Sequence, residues 1–199
     1  MLKRAFDIFF SAGALLVLAP LLLLVAVWVK VDSPGPVFFR QVRIGRHART
    51  FRIFKFRTMR VDAPERGPQI TIGADRRITR LGILLRKYKI DEFPQFINVL
   101  VGDMSVVGPR PEVPRYVALY PEELRRAVLS VRPGITDLAS IEYRDENDLL
   151  ARSEDPERTY VEQVMPAKLA LCERYVRERT FGGDLSIIGR SFRAAFERR

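Results

Sequence analysis

A chain of 199 residues, 47% of them hydrophobic, suits one domain with a real core. Its formal net charge of +10 and pI near 10.2 point to an anionic partner: nucleic acid, a phosphorylated substrate or acidic lipid. Cys172 is the only cysteine and His47 the only histidine, which excludes a disulfide framework and argues against zinc or Ser-His-Asp chemistry. Acid–base or metal chemistry then falls to Asp and Glu, whose oxygens favour magnesium or a similar hard cation.

Between Asp7 and Lys30 runs an uncharged segment of 22 residues, IFFSAGALLVLAPLLLLVAVWV, long enough to cross a bilayer. It exceeds a usual signal-peptide h-region and no small-residue cleavage site follows, so a signal peptide is not expected. Lys3 and Arg4 precede it, while Lys30, Arg40, Arg43, Arg46 and Arg49 follow. Both ends thus ask for the same, cytoplasmic side. Pro20 sits mid-run and can break or kink a helix. A helix-break-helix that dips into one leaflet and returns satisfies both flanks; a plain span is the alternative.

Ser33-Pro34-Gly35-Pro36 terminates the helix. Val37 to Ile44 and Thr50 to Met59 read as two β-segments around a turn at Gly45-Arg46-His47. FRIFKFRTM interleaves Phe51, Ile53, Phe54 and Phe56 with Arg52, Lys55 and Arg57. The phenylalanines have core-like spacing, and the cationic face could line an anion pocket. Residues 62–79, with Pro64, Gly67, Pro68 and Gly73, read as loop. Ile78 to Ile90 forms a basic amphipathic helix, whose Arg80, Arg86, Lys87 and Lys89 are either a solvated face or close to a phosphate.

This helix leads into Asp91 and Glu92, followed by Phe93, Phe96, Ile97, Val99 and Leu100 at helical spacing. Asp is a favoured N-cap and Pro94 fits a first helical turn. The positive end of a helix dipole, with nearby cations, suits a carboxylate acting in phosphate chemistry, as nucleophile or metal ligand. An ordinary acidic helix start fits the same residues. Gly108-Pro109-Arg110-Pro111 is a rigid turn, because Pro109 and Pro111 restrict the backbone around Arg110. A pre-set arginine loses less entropy on gripping phosphate. Glu112 to Val131 reads as helix and Arg132-Pro133-Gly134-Ile135-Thr136 as a second rigid turn. Tyr143-Arg144-Asp145-Glu146 enters a helix around Leu149 to Ala151, and another follows from Tyr160 to Arg179. Gly182-Gly183 breaks the chain before a basic amphipathic segment, Leu185 to Phe196, suited to a lipid interface or to the domain core.

In this order and spacing KRAFDIFFSAGALLVLAPLLLL, FRIFKFRTM, LRKYKIDEFPQFINVLVGDMSVVGPRPE and VRPGIT resemble the bacterial sugar transferases. These are monotopic phosphoglycosyl transferases that load a phosphosugar onto polyprenyl phosphate. The resemblance covers essentially the whole chain, and the length resembles the minimal catalytic form. It implies a re-entrant membrane helix broken at Ala19-Pro20, spanning residues 1–32, with residues 33–199 as a catalytic domain on the cytoplasmic face of the inner membrane. It implies Asp91 as nucleophile and magnesium ligand, with Glu92 completing the dyad. Arg57, Arg86, Arg110 and Arg144, with Lys55 and Pro111, would form the substrate and phosphate site. The partners implied are a UDP-sugar, polyprenyl phosphate and downstream glycosyltransferases, not nucleic acid; a homodimer stays open. Many relatives read RPGITGWAQ, whereas this chain reads RPGITDLASIEYRDE, which puts the role of Arg144 and the identity of the sugar in question.

The expected fold is α+β, mainly α: a re-entrant helix, a small antiparallel hairpin and surface helices packed at the membrane. A non-catalytic reading also fits charge and anchor, namely a membrane-anchored basic module for nucleic acid or acidic lipid. It leaves unexplained why two acids sit amid the cations at Asp91-Glu92.

Overall fold

The computed structural model describes residues 1–63 and 75–196. Most of the loop expected over 62–79, together with Arg198 and Arg199 and the side chain of Phe196, lies outside the described residues.

A single helix, α1, runs from Leu2 to Asp32 with Pro20 inside it. The break expected at Ala19-Pro20 does not interrupt the helix. By length and composition α1 can cross a membrane, and its apolar stretch is largely unburied. The middle bears unpartnered apolar side chains, Leu16, Val17, Leu23 and Leu24 among them. Its two ends, by contrast, are both tied to the rest of the protein. At the start, Lys3 Nζ donates to Asp184 Oδ2 (2.6 Å) and Val107 O (3.0 Å), and Arg4 donates to Val99 O and Leu100 O. Asp7 accepts from Ser105 Oγ and from Val106 N. At the far end, Val25 and Val29 pack with Phe56, Leu81 and Leu85.

The hairpin forms as expected, β1 (Phe38–Ile44) against β2 (Thr50–Phe56), with Phe38 opposite Phe56 and Ile44 opposite Thr50. The second strand stops three residues short of Met59: Arg57 N still bonds Val37 O, but from Thr58 onward the backbone pairs with residues 77–79 instead. Helix α2 (Arg80–Lys87) is shorter than the sequence periodicity suggests. Thr79 caps its start, accepting from Gly82 N, and Lys89 ends it in the left-handed region at φ 57°. Helix α3 (Gln95–Val101) follows.

The two proline turns come together through a pairing the sequence does not announce. Short strands β3 (Ser105–Val107) and β4 (Gly134–Thr136) run parallel, in register Ser105 to Gly134. They pass closely at glycines: a Cβ on Gly134 would lie 2.1 Å from Gly108 N, and one on Gly108 would lie 2.5 Å from Arg132 O. Only glycine fits there. The helix expected over 112–131 is two, α4 (Pro114–Val117) and α5 (Glu122–Val128), because Pro121 cannot continue the first.

Helices α6 (Leu138–Glu142) and α7 (Glu146–Ala151) precede a long run: α8 (Pro156–Thr159), a π-helical turn over Tyr160–Val164, and α9 (Met165–Glu178). The wide turn precedes Pro166, which has no N–H to offer the previous turn. The break expected at Gly182-Gly183 is absent. Both glycines lie in the first turn of α10 (Phe181–Phe196), where Thr180 Oγ1 accepts from Gly183 N. On α10, Ile187 is buried in the core, whereas Leu185 and Phe192 remain exposed. The largest core packs α4, α5, α7 and α9 through Tyr116, Val128, Leu150, Tyr160 and Leu169.

Candidate active site

The site is built where α2 hands the chain to α3. Helix α2 lies so close to the end of β2 that a Cβ on Gly82 would sit 2.1 Å from Thr58 O. That contact brings Arg86 Nε to Thr58 Oγ1 (2.9 Å). The reversal at Lys89 then turns residues Ile90–Glu92 into one 3-10 turn carrying both acids. Pro94, not Asp91, occupies the cap position of α3. Asp91 therefore does not serve as the expected N-cap. Both side chains face inward instead, with Asp91 4% and Glu92 7% exposed, which is far from a solvated helix start.

The two carboxylates differ in what surrounds them. Glu92 is fully engaged: Arg110 donates Nη2 to Oε1 (2.5 Å) and Nη1 to Oε2 (3.2 Å), and Lys55 Nζ stands 2.8 Å from Oε1. Asp91 meets Lys55 Nζ at 3.5 Å through Oδ2, while its Oδ1 is buried with no hydrogen-bond partner. A buried, unpartnered carboxylate oxygen is costly and calls for a ligand.

Electrostatics follow the geometry. Burial raises the Asp91 carboxyl above the usual aspartate range; Lys55 opposes this and the Glu92 charge adds to it. Burial also resists ionisation of Glu92, but Arg110 and Lys55 outweigh it and hold that carboxyl well below the ordinary value. Arg110 is raised in return, chiefly by Glu92. Burial lowers Arg86, against the pull of Asp91. At neutral pH Glu92 is thus a fixed anion locked in a fork, and Asp91 is the acid with an oxygen to spare.

Lys55, Arg86 and Arg110 gather around the dyad as the sequence suggested. Arg57 does not. Its guanidinium is buried against the end of α1 and donates to Pro34 O (2.6 Å), Pro36 O (2.7 Å), Ser33 O (2.7 Å) and Val29 O (3.3 Å). Four of its five N–H bonds are taken by carbonyls, so its place is that of an anchor. Arg144 lines the outer wall of the same cleft, half-exposed, with Asp145 Oδ2 3.4 Å away. Pro111 is buried beneath Arg110 and contributes its carbonyl to Arg43 Nη1 (3.0 Å). Sequence reasoning missed Asp137 and Tyr160, both adjoining the Arg110 turn. Asp137 carried a signal, an Asp three residues before Ser140 at a helix start, and it does cap α6. Tyr160 carried none.

Magnesium is the metal that this oxygen chemistry suggests. Among the described residues no cluster of three or more acidic, His or Cys side chains makes a closed cage. Magnesium seldom uses one; it keeps waters and takes phosphate oxygens alongside one or two carboxylates. The unpartnered Oδ1 of Asp91 is a suitable donor, so the residues fit a cation that arrives with a diphosphate.

A long apolar helix tied by both ends to a small α+β body, with a cation-ringed acid pair in its cleft, defines a membrane-associated phosphate-group enzyme. The family model described as bacterial sugar transferase matches residues 1–198, and the chain belongs to that family. It is 49% identical over 149 residues to an exopolysaccharide production protein of Rhizobium leguminosarum bv. phaseoli, covering 71% of this chain and 74% of the relative. It is 41% identical over 191 residues to the UDP-glucose:undecaprenyl-phosphate glucose-1-phosphate transferase of Escherichia coli K12, covering 94% of this chain and 39% of the relative. A UDP-N-acetylgalactosamine-undecaprenyl-phosphate N-acetylgalactosaminephosphotransferase of Aeromonas hydrophila is 44% identical over 142 residues, covering 70% of this chain and 34% of the relative. The chain thus spans well under half of the length of the last two proteins.

Proposed function

We propose that this protein transfers a sugar-1-phosphate from a UDP-sugar to polyprenyl phosphate, undecaprenyl phosphate by the names of its relatives, and releases UMP. The observation that carries the reading is the unpartnered Oδ1 of Asp91, buried beside a Glu92 that Arg110 and Lys55 already hold. In the first half-reaction an Asp91 oxygen attacks the β-phosphorus. The bond from that phosphorus to the oxygen bridging the α-phosphate breaks, UMP leaves with the electron pair, and a phosphosugar remains on the carboxylate. In the second, a phosphate oxygen of the polyprenyl phosphate attacks the same phosphorus and frees Asp91. A carboxylate needs no general base to act as nucleophile, which suits a site containing no histidine.

Lys55, Arg86 and Arg110 are placed to offset charge on the phosphates as one anion approaches another. Magnesium bound by Asp91 and the diphosphate would supply further charge neutralisation. Arg110 also keeps Glu92 in place, held as a fixed anion beside Asp91.

The placement of α1 supports a membrane location with both ends on one face. Residues 3–7 and 29–36 bond to the same body, while the apolar middle is bare. A straight 31-residue helix is about 46 Å long, more than the roughly 30 Å hydrocarbon core. A helix that crossed fully would carry Lys3, Arg4 and Asp7 away from the partners that hold them. A path that bends at Pro20 without breaking the helix, with the catalytic body on the cytoplasmic face, would keep them.

The test is UMP release from a panel of UDP-sugars, with and without undecaprenyl phosphate and magnesium, for wild type and Asp91→Asn. The relatives' names differ in the sugar, so glucose and N-acetylgalactosamine donors lead the panel. Release by wild type only, dependent on metal, supports the reading and identifies the sugar. Equal release by the variant removes Asp91 as nucleophile. No release from any donor, with salt-sensitive retention of nucleic acid or acidic vesicles by the folded protein, favours the binding-module reading instead.

A further inference from the structure

Arg110 is the only residue of the GPRP turn that reaches the dyad, and its side chain keeps a third of its surface exposed. Prolines on both sides restrict the backbone but do not aim a guanidinium to within an ångström. Two further acids do that.

Asp137 is 2% exposed, and both of its oxygens are used. Oδ2 accepts from the backbone N of Arg110 itself (3.0 Å), and Oδ1 accepts from Ser140 N (2.7 Å), capping α6. Its charge also acts on the Arg110 guanidinium. On the other side of Arg110, Glu112 joins three elements. Its Oε1 accepts from Arg43 Nη1 on β1 (3.0 Å) and from Val113 N at the start of α4 (2.8 Å). Its Oε2 accepts from Tyr160 Oη in the π-helical turn (2.8 Å), and its carbonyl accepts from Ile44 N (3.0 Å). Arg43 Nη1 also holds Pro111 O, so the residue next to Arg110 is gripped directly.

We propose that Asp137 and Glu112, with Arg43 and Tyr160, are positioning residues: they hold Arg110 in the geometry that orients Glu92 and leaves the Asp91 oxygen open. None of the four needs to touch the reacting atoms. Their effect passes through Arg110, and the inference rests on the transferase reading above. The cradle also gives a physical reason for this chain's RPGITD sequence. The carboxylate of Asp137 ties β4 to the proline turn from which Arg110 projects. The π-helical turn fits too, since that irregularity places the Tyr160 hydroxyl against Glu112.

The experiment is a double-mutant cycle on UMP release by the full chain. Tyr160→Phe removes one hydroxyl bond, and Asp137→Asn one charge and one of two backbone acceptors, both with little change of volume. Each is expected to lower kcat about fivefold, the worth of one hydrogen bond, with KM for the UDP-sugar changed less than twofold. Arg110→Lys loses more. The decisive arm combines each change with Arg110→Lys: the cradle predicts that the fivefold loss disappears, because the side chain it serves is already gone. Thermal unfolding checks that each variant is folded. UDP affinity by calorimetry gives a readout without turnover, and like KM it should change less than twofold in the Tyr160→Phe and Asp137→Asn variants. Losses that persist undiminished in the Arg110→Lys background overturn the proposal while the transferase reading stands. A wild type that neither turns over nor binds UDP takes both down together.

Discussion

Two arginines of this protein come from similar-looking basic motifs and end in opposite surroundings. Arg57, from FRTM, meets only neutral carbonyls at the end of α1. Arg110, from GPRP, meets the carboxylate of Glu92 at the mouth of a cleft. The first arrangement ties down the Ser33, Pro34 and Pro36 carbonyls just beyond α1 and leaves almost no donor for a ligand. The second places a cation where an anion can still approach. An arginine's role here is set by what occupies its fork, and a motif names the arginine without naming the occupant. The same contrast separates the two acids: Glu92 is matched, Asp91 is not.

The sharpest way to break the second contrast is Asp91→Asn. Turnover is expected to fall by at least about a thousandfold, in line with losing a covalent nucleophile. Stability should move the other way. Burial raises the native pKa of Asp91 above 3.8, so the ionised side chain costs stability at every pH above that raised value. The amide carries no such charge. Thermal unfolding at pH 7.5 should therefore show the variant equal to or more stable than wild type. A clear loss of stability would mean that the charged form of Asp91 is held by partners that the geometry does not show.

Arg110→Gln tests the matched acid. It strands Glu92 in a buried site and should lower stability by about 1–3 kcal/mol at pH 7, along with turnover. The pH dependence follows from the sign of the shift. Glu92 has a native pKa well below 4.5, so its contribution is present above about pH 4.5 and lost as pH falls through the native value. The gap between wild type and variant in urea unfolding should close on going from pH 6 toward pH 3. A gap independent of pH would assign the loss to packing rather than to the ion pair.

Arg57→Lys separates anchor from substrate contact. A lysine ammonium cannot reach four carbonyls arranged around a planar fork. We expect a loss of about 2 kcal/mol in thermal or detergent-challenge stability. KM for the UDP-sugar should change less than twofold. A large rise in KM with unchanged stability would return Arg57 to the phosphate site.

These contrasts also show what was legible in the sequence. The apolar 22-residue run and the hairpin around Gly45-Arg46-His47 were readable, because periodicity and turn residues report on near neighbours, whereas Lys55, Arg86 and Arg110 were joined to the dyad only by the family resemblance. The parallel pairing of Ser105–Val107 with Gly134–Thr136 was not, since three-residue strands carry no period and their contact is set by distant packing. Asp91 was misread as a helix cap because an αL turn at Lys89, in a non-glycine residue, has no dependable local signature. The glycine pair at 182–183 was misread as a break for the opposite reason: Thr180 caps the helix and core contacts through Ile187 outweigh a propensity cost of about 1 kcal/mol per glycine. The sequence named these residues as candidates. It could not show which cation faces which acid.

The smallest expected effect bears on the step between the two acids. Lys55 is the only one of the placed cations within 4 Å of both, 3.5 Å from Asp91 Oδ2 and 2.8 Å from Glu92 Oε1. Among the charges that pull the Asp91 pKa down against burial, it is the largest. On the proposed mechanism turnover needs Asp91 ionised, so the rate should fall on the acid side through an apparent pKa that belongs to the pair and is raised by burial. Lys55→Gln removes the opposing charge, and the acid limb should shift to higher pH, with a smaller loss at the plateau because Arg86 and Arg110 remain. The measurement is a kcat profile between pH 5 and 9 for both proteins. An unmoved acid limb would show that Lys55 serves Glu92 alone, and the spare oxygen of Asp91 would then owe its state to burial and to whatever cation the substrate brings.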